Sequence, residues 1–168
     1  MNLNIGSSVA KGIYKSGEWI NLDLSRHKGV NVLGSGLALP FRDNSFHKIH
    51  CVHVLEHVTR DKNSPMLKEM YRVLKPGGEA WVEVPDFTGV IQLLNSALVA
   101  GDERQTHIWT TSVYGKNERP GMAHHWGFTE KLLGDKMLEV GFYVIRERGY
   151  MISNHHKLEP VLLMRGHK

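Results

Sequence analysis

The sequence predicts an α/β fold built on an open, mostly parallel β-sheet. Short apolar runs rich in β-branched residues recur along the chain, helical patterns separate the later runs, and one predicted helix ends in a glycine turn that leads straight into the next run. The chain has 168 residues, of which 41% are hydrophobic and 23% are charged. This composition is typical of a globular protein, and the length suits one core. We therefore expect a single domain over residues 1–168.

The strands of this sheet are predicted from the apolar runs, each of which has a length typical of a strand. They are expected at residues 3–5, 19–24, 30–33, 49–54, 79–84, 142–146 and 161–164. Between the first two, residues 9–18 contain Gly12 and Gly17 and show no apolar stripe. We expect a loop there, where a doubly wound sheet normally has its first helix.

Three helices are predicted from caps and periodicity. Ser64 as N-cap and Pro65 at the first helical position would begin one, which would end at the turn of residues 75–78. A second is expected over residues 90–100. The third is expected over residues 130–140, with Thr129 as its cap and Gly141 just past its end.

Residues 102–128 show no regular periodicity and are longer than an ordinary connection. They concentrate side chains that combine apolar surface with hydrogen-bonding tips, namely His107, Trp109, Tyr114, His124, His125 and Trp126. Long irregular segments of this kind tend to be lids or binding loops. We expect this lid-like segment to close over one side of a ligand site.

Charge and cysteine content narrow the partners and the compartment. Lys and Arg number 21 against 17 Asp and Glu, which gives a net charge of +4. The basic residues are scattered, so no nucleic-acid partner is expected. The single cysteine, Cys51, fits a reducing compartment, and we expect a cytoplasmic protein. The apolar stretch 90–100 is too short and too polar for a membrane span, so no membrane partner is expected.

The ends of the predicted strands should carry the ligand site, because ligands of open parallel sheets bind beyond the carboxyl ends of the strands. Gly6 ends the first strand and would let the backbone pass close to a ligand. Asp23 ends the second and could accept hydrogen bonds from both ribose hydroxyls of a nucleoside. A plain strand-ending turn at Gly6 and a loop cap at Asp23 are the alternatives.

Six segments of the chain, in order, resemble the class I S-adenosylmethionine-dependent methyltransferases, and within them the small-molecule type. They are residues 3–8 (LNIGSS), 19–23 (WINLD), 39–46 (LPFRDNSF), 53–57 (HVLEH), 72–78 (RVLKPGG) and 84–87 (VPDF). The resemblance implies a Rossmann-like, doubly wound, mostly parallel sheet with an antiparallel last strand and a reduced first helix. It also implies S-adenosylmethionine as cofactor, S-adenosylhomocysteine as product, and methyl transfer to oxygen or nitrogen of a small-molecule acceptor.

The resemblance also implies the residues of the site. Those expected to bind the cofactor are Gly6, Ser7, Ser8, Asp23, Leu24, Ser35, Gly36, Leu37 and His53. Removal of a proton from the acceptor suits histidine near neutral pH, so His53, His57 and the loop histidines His124 and His125 are candidates. Of these, His53, His57 and His125 are the expected catalytic residues. For His53 and His57 the alternative is a structural hydrogen bond that orders the turn after the strand, and for His125 it is packing of the loop.

Two other classes of site fit the sequence less well. The chain lacks a full GxGxxG pattern and a helix directly after the first glycine turn, which argues against a dinucleotide. The segment HVLEH also matches an inverted zinc-peptidase pattern, but that site needs both histidines on one face of a helix. Because the segment follows a predicted strand, no metal is expected.

Two positions depart from the pattern of the resembled family. Ser8 stands where a second glycine is usual, and Ser35 stands where an aspartate commonly binds the adenine amino group. A degenerate protein that keeps the fold and serves as a binding or scaffolding module is therefore the main alternative. An enzyme that acts on RNA is the third hypothesis for the function. The partner expected besides the acceptor is a second copy of this chain, in a homodimer.

Overall fold

The computed structural model describes residues 1–6, 14, 17–116, 118, 120–147, 152 and 159–168. Within them the chain forms a seven-stranded sheet with helices on its faces. The strands are β1 (Asn2–Ile5), β2 (Trp19–Asp23), β3 (Val32–Leu33), β4 (Phe46–Val52), β5 (Leu74–Pro85), β6 (Tyr143–Glu147) and β7 (Val161–His167). The helices are α1 (Arg60–Val73), α2 (Phe87–Ala100), α3 (Glu103–Tyr114) and α4 (Glu130–Val140), with a 3₁₀ turn at Leu55–His57.

The strand order in the sheet is β3-β2-β1-β4-β5-β7-β6. The pairs among β1 to β5 are parallel, whereas β7 is antiparallel to both of its neighbours. These pairings confirm the doubly wound, mostly parallel sheet and its antiparallel last strand. From β1 and β4 the chain order runs outward in both directions, so the topological switch point lies between these two strands.

The larger hydrophobic core lies between the sheet and the helices α1 and α4. Leu3 of β1 and Ile49 of β4 are fully buried there against Leu67 and Met70 of α1 and Leu133 of α4. Alternate residues of β4 point to opposite faces because side chains alternate along a strand.

The opposite face of the sheet carries a smaller aromatic cluster around His50. The hydroxyl oxygen of Tyr14 lies 2.9 Å from Nδ1 of His50. The ring centroids of Trp19 and Trp81 lie 4.6 Å and 6.0 Å from that of the imidazole. Burial, with a smaller contribution from the charge of Lys48, lowers the pKa of His50 to about 4. This imidazole is therefore neutral at physiological pH.

The prediction that helix α1 begins at Ser64 is wrong. The helix begins at Arg60, after Thr59 as N-cap, and Pro65 lies inside the helix. Pro65 is the sixth residue of this helix, so it lacks the N–H that would bond to the carbonyl of residue 61, and its ring crowds that carbonyl. The earlier start buries Asn63, whose side chain is 0% exposed, together with Met66.

The prediction that residues 102–128 are irregular is wrong in part, because α3 lies within them. Asp102 caps α3 by accepting a hydrogen bond from the N–H of Gln105, and α3 then packs against α2. Only Trp109 of this helix is buried. The sequence therefore shows no apolar stripe, which is why its helical period escapes detection.

Some expectations about the N-terminal part lie outside the described residues. These are Ser7, Ser8 and most of the stretch 9–18, including the reduced first helix. Among the residues that the structure describes, no helix is both long and apolar enough to cross a bilayer.

Candidate active site

A cleft of about 1180 Å³ opens at the carboxyl ends of β1, β2 and β4. One end is lined by residues that follow the strands, among them Gly6, Asp23, Leu24, Ser35, Gly36, Leu37 and His53. The other end is lined by residues of the 3₁₀ turn, α3 and the loop after it, among them His57, His107, Ser112, His124, His125 and Glu159. Ligand pockets commonly measure roughly 300–1,000 Å³, so this cleft has room for a nucleoside cofactor and a small acceptor.

Glycines let the backbone approach closely at the strand-end side of the cleft. Gly6 has a φ of +76°, and a Cβ atom there would lie 2.1 Å from Cγ2 of Val54. A Cβ atom at Gly36 would lie 2.6 Å from Cε of Met66. A larger residue at either position would therefore displace these neighbours or the backbone.

Asp23 and Ser35 both order the turns in which they lie. Oδ1 of Asp23 accepts a hydrogen bond from the N–H of Ser25 at 2.9 Å, and Oδ2 lies 3.3 Å from Nε2 of His27. Oγ of Ser35 accepts a hydrogen bond from the N–H of Leu37 at 3.2 Å. The loop-cap alternative for Asp23 is thus realised by one oxygen, while the residue still lines the cleft.

His53 is buried between two carboxylates. It has a positive φ of 50°, its Nδ1 lies 3.1 Å from Oε1 of Glu56, and its Nε2 lies 3.5 Å from Oε1 of Glu83. Burial alone lowers the pKa of His53, but the hydrogen bonds and charges of Glu56 and Glu83 outweigh burial and raise the pKa to about 10. A histidine that is already protonated cannot accept a proton, so this geometry favours a positioning role for His53.

Glu56 connects the 3₁₀ turn to the distant loop. Its side chain is 2% exposed, and burial alone would raise its pKa, but the hydrogen bond and charge of His53 outweigh burial and lower the pKa. Its backbone carbonyl accepts hydrogen bonds from the N–H groups of His125 at 2.8 Å and Trp126 at 3.3 Å. The loop is thereby held against the end of β4.

His57 and His124 lie face to edge, with ring centroids 4.8 Å apart. Nδ1 of His57 lies 2.9 Å from the carbonyl oxygen of Ala123, and Nδ1 of His124 lies 2.8 Å from that of Ser112. A carbonyl oxygen only accepts, so both Nδ1 atoms carry the hydrogen. Burial lowers the pKa of His124, which favours its neutral form.

The described residues predicted from the sequence all line one cleft, whereas Ser7 and Ser8 lie outside the described residues. His125 is exposed in the cleft. Trp126 instead packs against the core, and the guanidinium of Arg60 lies 4.9 Å from the centre of its ring. Sequence reasoning missed Glu83, although a glutamate within an apolar strand is a signal for a buried partner.

The comparisons with known proteins agree with this architecture. A family model described as a methyltransferase domain matches residues 11–82. The ubiquinone/menaquinone biosynthesis C-methyltransferase UbiE of Legionella pneumophila is 47% identical over 73 residues, which cover 41% of this chain and 28% of that protein. The probable tRNA methyltransferase 9B of Mus musculus is 37% identical over 65 residues, which cover 38% of this chain and 14% of that protein. The chain therefore matches well under two thirds of the length of these relatives.

Solved structures show the same fold over almost the whole chain. A 1,6-didemethyltoxoflavin-N1-methyltransferase of Burkholderia thailandensis, with bound 1,6-didemethyltoxoflavin and S-adenosylhomocysteine, aligns with a TM-score of 0.64 at 12% identity and covers 99% of this chain and 70% of that one. A SAM-dependent methyltransferase of Archaeoglobus fulgidus aligns with a TM-score of 0.63 at 15% identity and covers 99% of this chain and 85% of that one. The chain therefore has the fold of these methyltransferases, and residues 11–82 match a methyltransferase domain in sequence.

Proposed function

We propose that this protein binds S-adenosylmethionine at the strand-end side of the cleft and transfers its methyl group to a small acceptor at the histidine-lined side. One observation carries the proposal: a single cleft joins Gly6 and Asp23, beside the switch point of the sheet, to three imidazoles from the turn and the loop. Methyl transfer requires both substrates in line and shielded from water, and a shared cleft supplies that alignment.

The residues at the strand-end side fit a nucleoside cofactor. S-adenosylmethionine supplies the methyl group and departs as S-adenosylhomocysteine. Because the cofactor has no phosphate, it requires close backbone approach rather than a helix N-terminus, and Gly6 and Gly36 allow that approach. Asp23 has free acceptor capacity beyond its bond to Ser25, since a carboxylate offers about four lone-pair sites. It could therefore accept hydrogen bonds from ribose hydroxyls.

The acceptor side suits an oxygen or nitrogen acceptor that loses a proton. His125 is exposed in the cleft, and its backbone is fixed by the carbonyl of Glu56. In this proposal a lone pair of the acceptor attacks the methyl carbon, and the acceptor's proton passes to the His125 imidazole. His53 positions Glu56, and the cleft wall formed by α3 and its following loop excludes water.

Cofactor binding is tested by titrating the full chain with S-adenosylhomocysteine in a calorimeter. We expect Asp23→Ala to weaken binding at least about tenfold, because each lost charge-assisted hydrogen bond contributes roughly 1.5–3 kcal/mol. Asp135→Ala removes an exposed aspartate on α4 that pairs with Lys131, and this control should leave the affinity unchanged. Equal affinity of the wild type and Asp23→Ala would refute the assignment of this end of the cleft.

The acceptor is tested by supplying S-adenosylmethionine labelled in the methyl group with two separate acceptor pools, a small-metabolite extract and deproteinised tRNA. Label in the small-metabolite pool supports the proposal. Label in tRNA alone would replace it with an RNA-directed enzyme. Binding of S-adenosylhomocysteine without label in either pool would favour the scaffolding alternative.

A further inference from the structure

Three side chains converge at the acceptor side of the cleft in a way that methyl transfer does not require. Glu56, His57 and His124 each place one donor atom within 4.8 Å of the other two. We propose that they bind one divalent transition-metal ion of the Zn²⁺ type, which makes this a metal site that the sequence pattern alone did not predict.

In both imidazoles one ring nitrogen bonds to a backbone carbonyl, as is common in histidines that bind a metal. Nδ1 of His57 donates to the carbonyl of Ala123 and Nδ1 of His124 donates to the carbonyl of Ser112. These bonds fix both tautomers and leave each Nε2 with a lone pair. Metal-ligating histidines nearly always donate their second ring nitrogen in this way, which sets ring orientation and raises the basicity of the ligand.

The carboxylate of Glu56 supplies an independent reason. Its Oε1 pairs with Nδ1 of His53, whereas its Oε2 is buried and has no hydrogen-bond partner in the part of the chain that the structure describes. The side chain is 2% exposed. A buried carboxylate oxygen without a partner is costly, and a metal ion would supply the missing partner.

The donor set selects the class of ion. Two imidazoles and one carboxylate suit Zn²⁺, Co²⁺ and Fe²⁺, whereas Mg²⁺ and Ca²⁺ prefer oxygen ligands alone. In a tetrahedral zinc site the ligand atoms lie about 3.3 Å apart. The three donor atoms here lie up to 4.8 Å apart, so the side chains must move closer together when an ion binds. Three protein ligands leave a position open on the cleft side.

The arrangement differs from the zinc-peptidase pattern considered for the segment HVLEH. In that pattern His53 and His57 would be the paired ligands, but both ring nitrogens of His53 already face carboxylates, those of Glu56 and Glu83. His57 instead pairs with His124, which lies far along the chain. If the proposed function holds, the open position would take an oxygen of the acceptor next to His125, and His57 would then be a ligand rather than a proton acceptor.

The test is metal binding by the untagged full chain, stripped with a chelator and then dialysed against Zn²⁺ or Co²⁺. We expect one ion per chain, with visible absorption bands for Co²⁺ that report nitrogen and oxygen ligands, and no binding of Mg²⁺ under the same conditions. His57→Ala and His124→Ala should each weaken Zn²⁺ binding by at least about a hundredfold, since even loss of a supporting partner costs 10–100-fold. His107→Ala removes an exposed imidazole from the same cleft wall and should leave Zn²⁺ affinity unchanged.

Absence of Zn²⁺ and Co²⁺ binding by the wild type would overturn the inference without any variant. So would Zn²⁺ binding that survives in both His57→Ala and His124→Ala, with circular dichroism confirming that the variants are folded. S-adenosylhomocysteine is titrated in parallel, because this separates the two proposals. Cofactor binding without metal binding overturns the metal site alone, and metal binding without cofactor binding overturns the proposed function alone.

Discussion

The absence of a Cβ atom at Gly6 lets β1 end close to the residues that follow β4. Its φ of +76° is a conformation that L-residues rarely adopt, and a Cβ atom would lie 2.1 Å from Cγ2 of Val54. Gly29 also has a positive φ, of +99°, but nothing lies within 4 Å of the Cβ position there. An alanine at Gly29 would therefore experience backbone strain alone, whereas an alanine at Gly6 would experience both strain and steric overlap.

We expect Gly6→Ala to lower the free energy of unfolding by about 2–5 kcal/mol, since strain of about 1–2 kcal/mol adds to overpacking of about 1–3 kcal/mol. Gly29→Ala should cost only the strain. Urea unfolding followed by circular dichroism measures both. In the double variant Val54→Ala with Gly6→Ala, removal of Cγ2 should lessen the loss caused by Gly6→Ala. Equal losses at the two glycines would show that the contact with Val54 does not matter.

His53 illustrates what residue spacing predicts at a site and what it does not. The structural hydrogen bond that was the alternative for His53 is present, and its partner is Glu56, three residues along the chain. The second carboxylate comes from Glu83, on the neighbouring strand, and only the parallel pairing of β4 with β5 brings it near. The charge state of His53 depends on both carboxylates, so it could not be predicted from the segment HVLEH alone.

Among the elements, α4 and α3 mark the limits of prediction from sequence. Helix α4 was predicted at its observed bounds because local signals specify both ends: Thr129 accepts from the N–H of Leu132, and Gly141 has a φ of +112°. Helix α3 was missed because it packs mainly on α2 and buries little apolar surface. Its stability depends on tertiary contacts that carry no local period.

The loop after α3 places two adjacent aromatic residues in different environments. The side chain of His125 is exposed in the cleft, whereas Trp126 packs against the core and under Arg60. We expect His125→Ala to reduce turnover by about 10²–10⁴-fold with unchanged cofactor affinity and melting temperature, since loss of a positioned proton acceptor typically has that effect. Steady-state kinetics, titration with S-adenosylhomocysteine and thermal unfolding are measured on the same preparation.

The variant Trp126→Ala, at the adjacent residue, is the comparison for His125→Ala. We expect it to lower the free energy of unfolding by about 2 kcal/mol or more, because truncating a large, mostly packed aromatic leaves a cavity. A fall in melting temperature for His125→Ala, or none for Trp126→Ala, would contradict this division between a cleft residue and a packing residue.

In the whole molecule, the 3₁₀ turn at Leu55–His57 is where distant parts of the chain meet. The carbonyl of Glu56 accepts hydrogen bonds from the N–H groups of residues 125 and 126, and Nδ1 of His57 donates to the carbonyl of Ala123. His53, just before the turn, contacts Glu83 of β5. The strand order alone predicts that β1, β2 and β4 end on one side. It does not predict which loop closes over them, because that depends on these long-range polar contacts.

Two histidines, the half-buried His50 of β4 and the buried His53 that follows the strand, should shape the pH dependence of stability in opposite directions. The pKa of His50 is lowered to about 4, so between pH 6.5 and 4 the unfolded chain takes up a proton that the folded chain does not, and stability falls as the pH falls. The pKa of His53 is raised to about 10, so its contribution is complete below pH 6.5 and is lost as the pH rises toward 10. Each effect can reach a slope of about 1.4 kcal/mol per pH unit.

We therefore expect His50→Gln to flatten the acid side of the stability profile and leave the alkaline side unchanged. His53→Gln should lower stability at neutral pH and flatten the profile between pH 6.5 and 10, because Gln cannot carry the charge that pairs with Glu56 and Glu83. Urea unfolding at half-unit pH intervals gives the slopes for the wild type and both variants. Subtracting each variant from the wild type removes the contribution of every group that the substitution does not affect. An acid slope that persists in His50→Gln would mean that other groups, with Glu56 as the first candidate, cause the acid loss of stability, since a lowered carboxylate pKa also destabilises the fold as the pH falls.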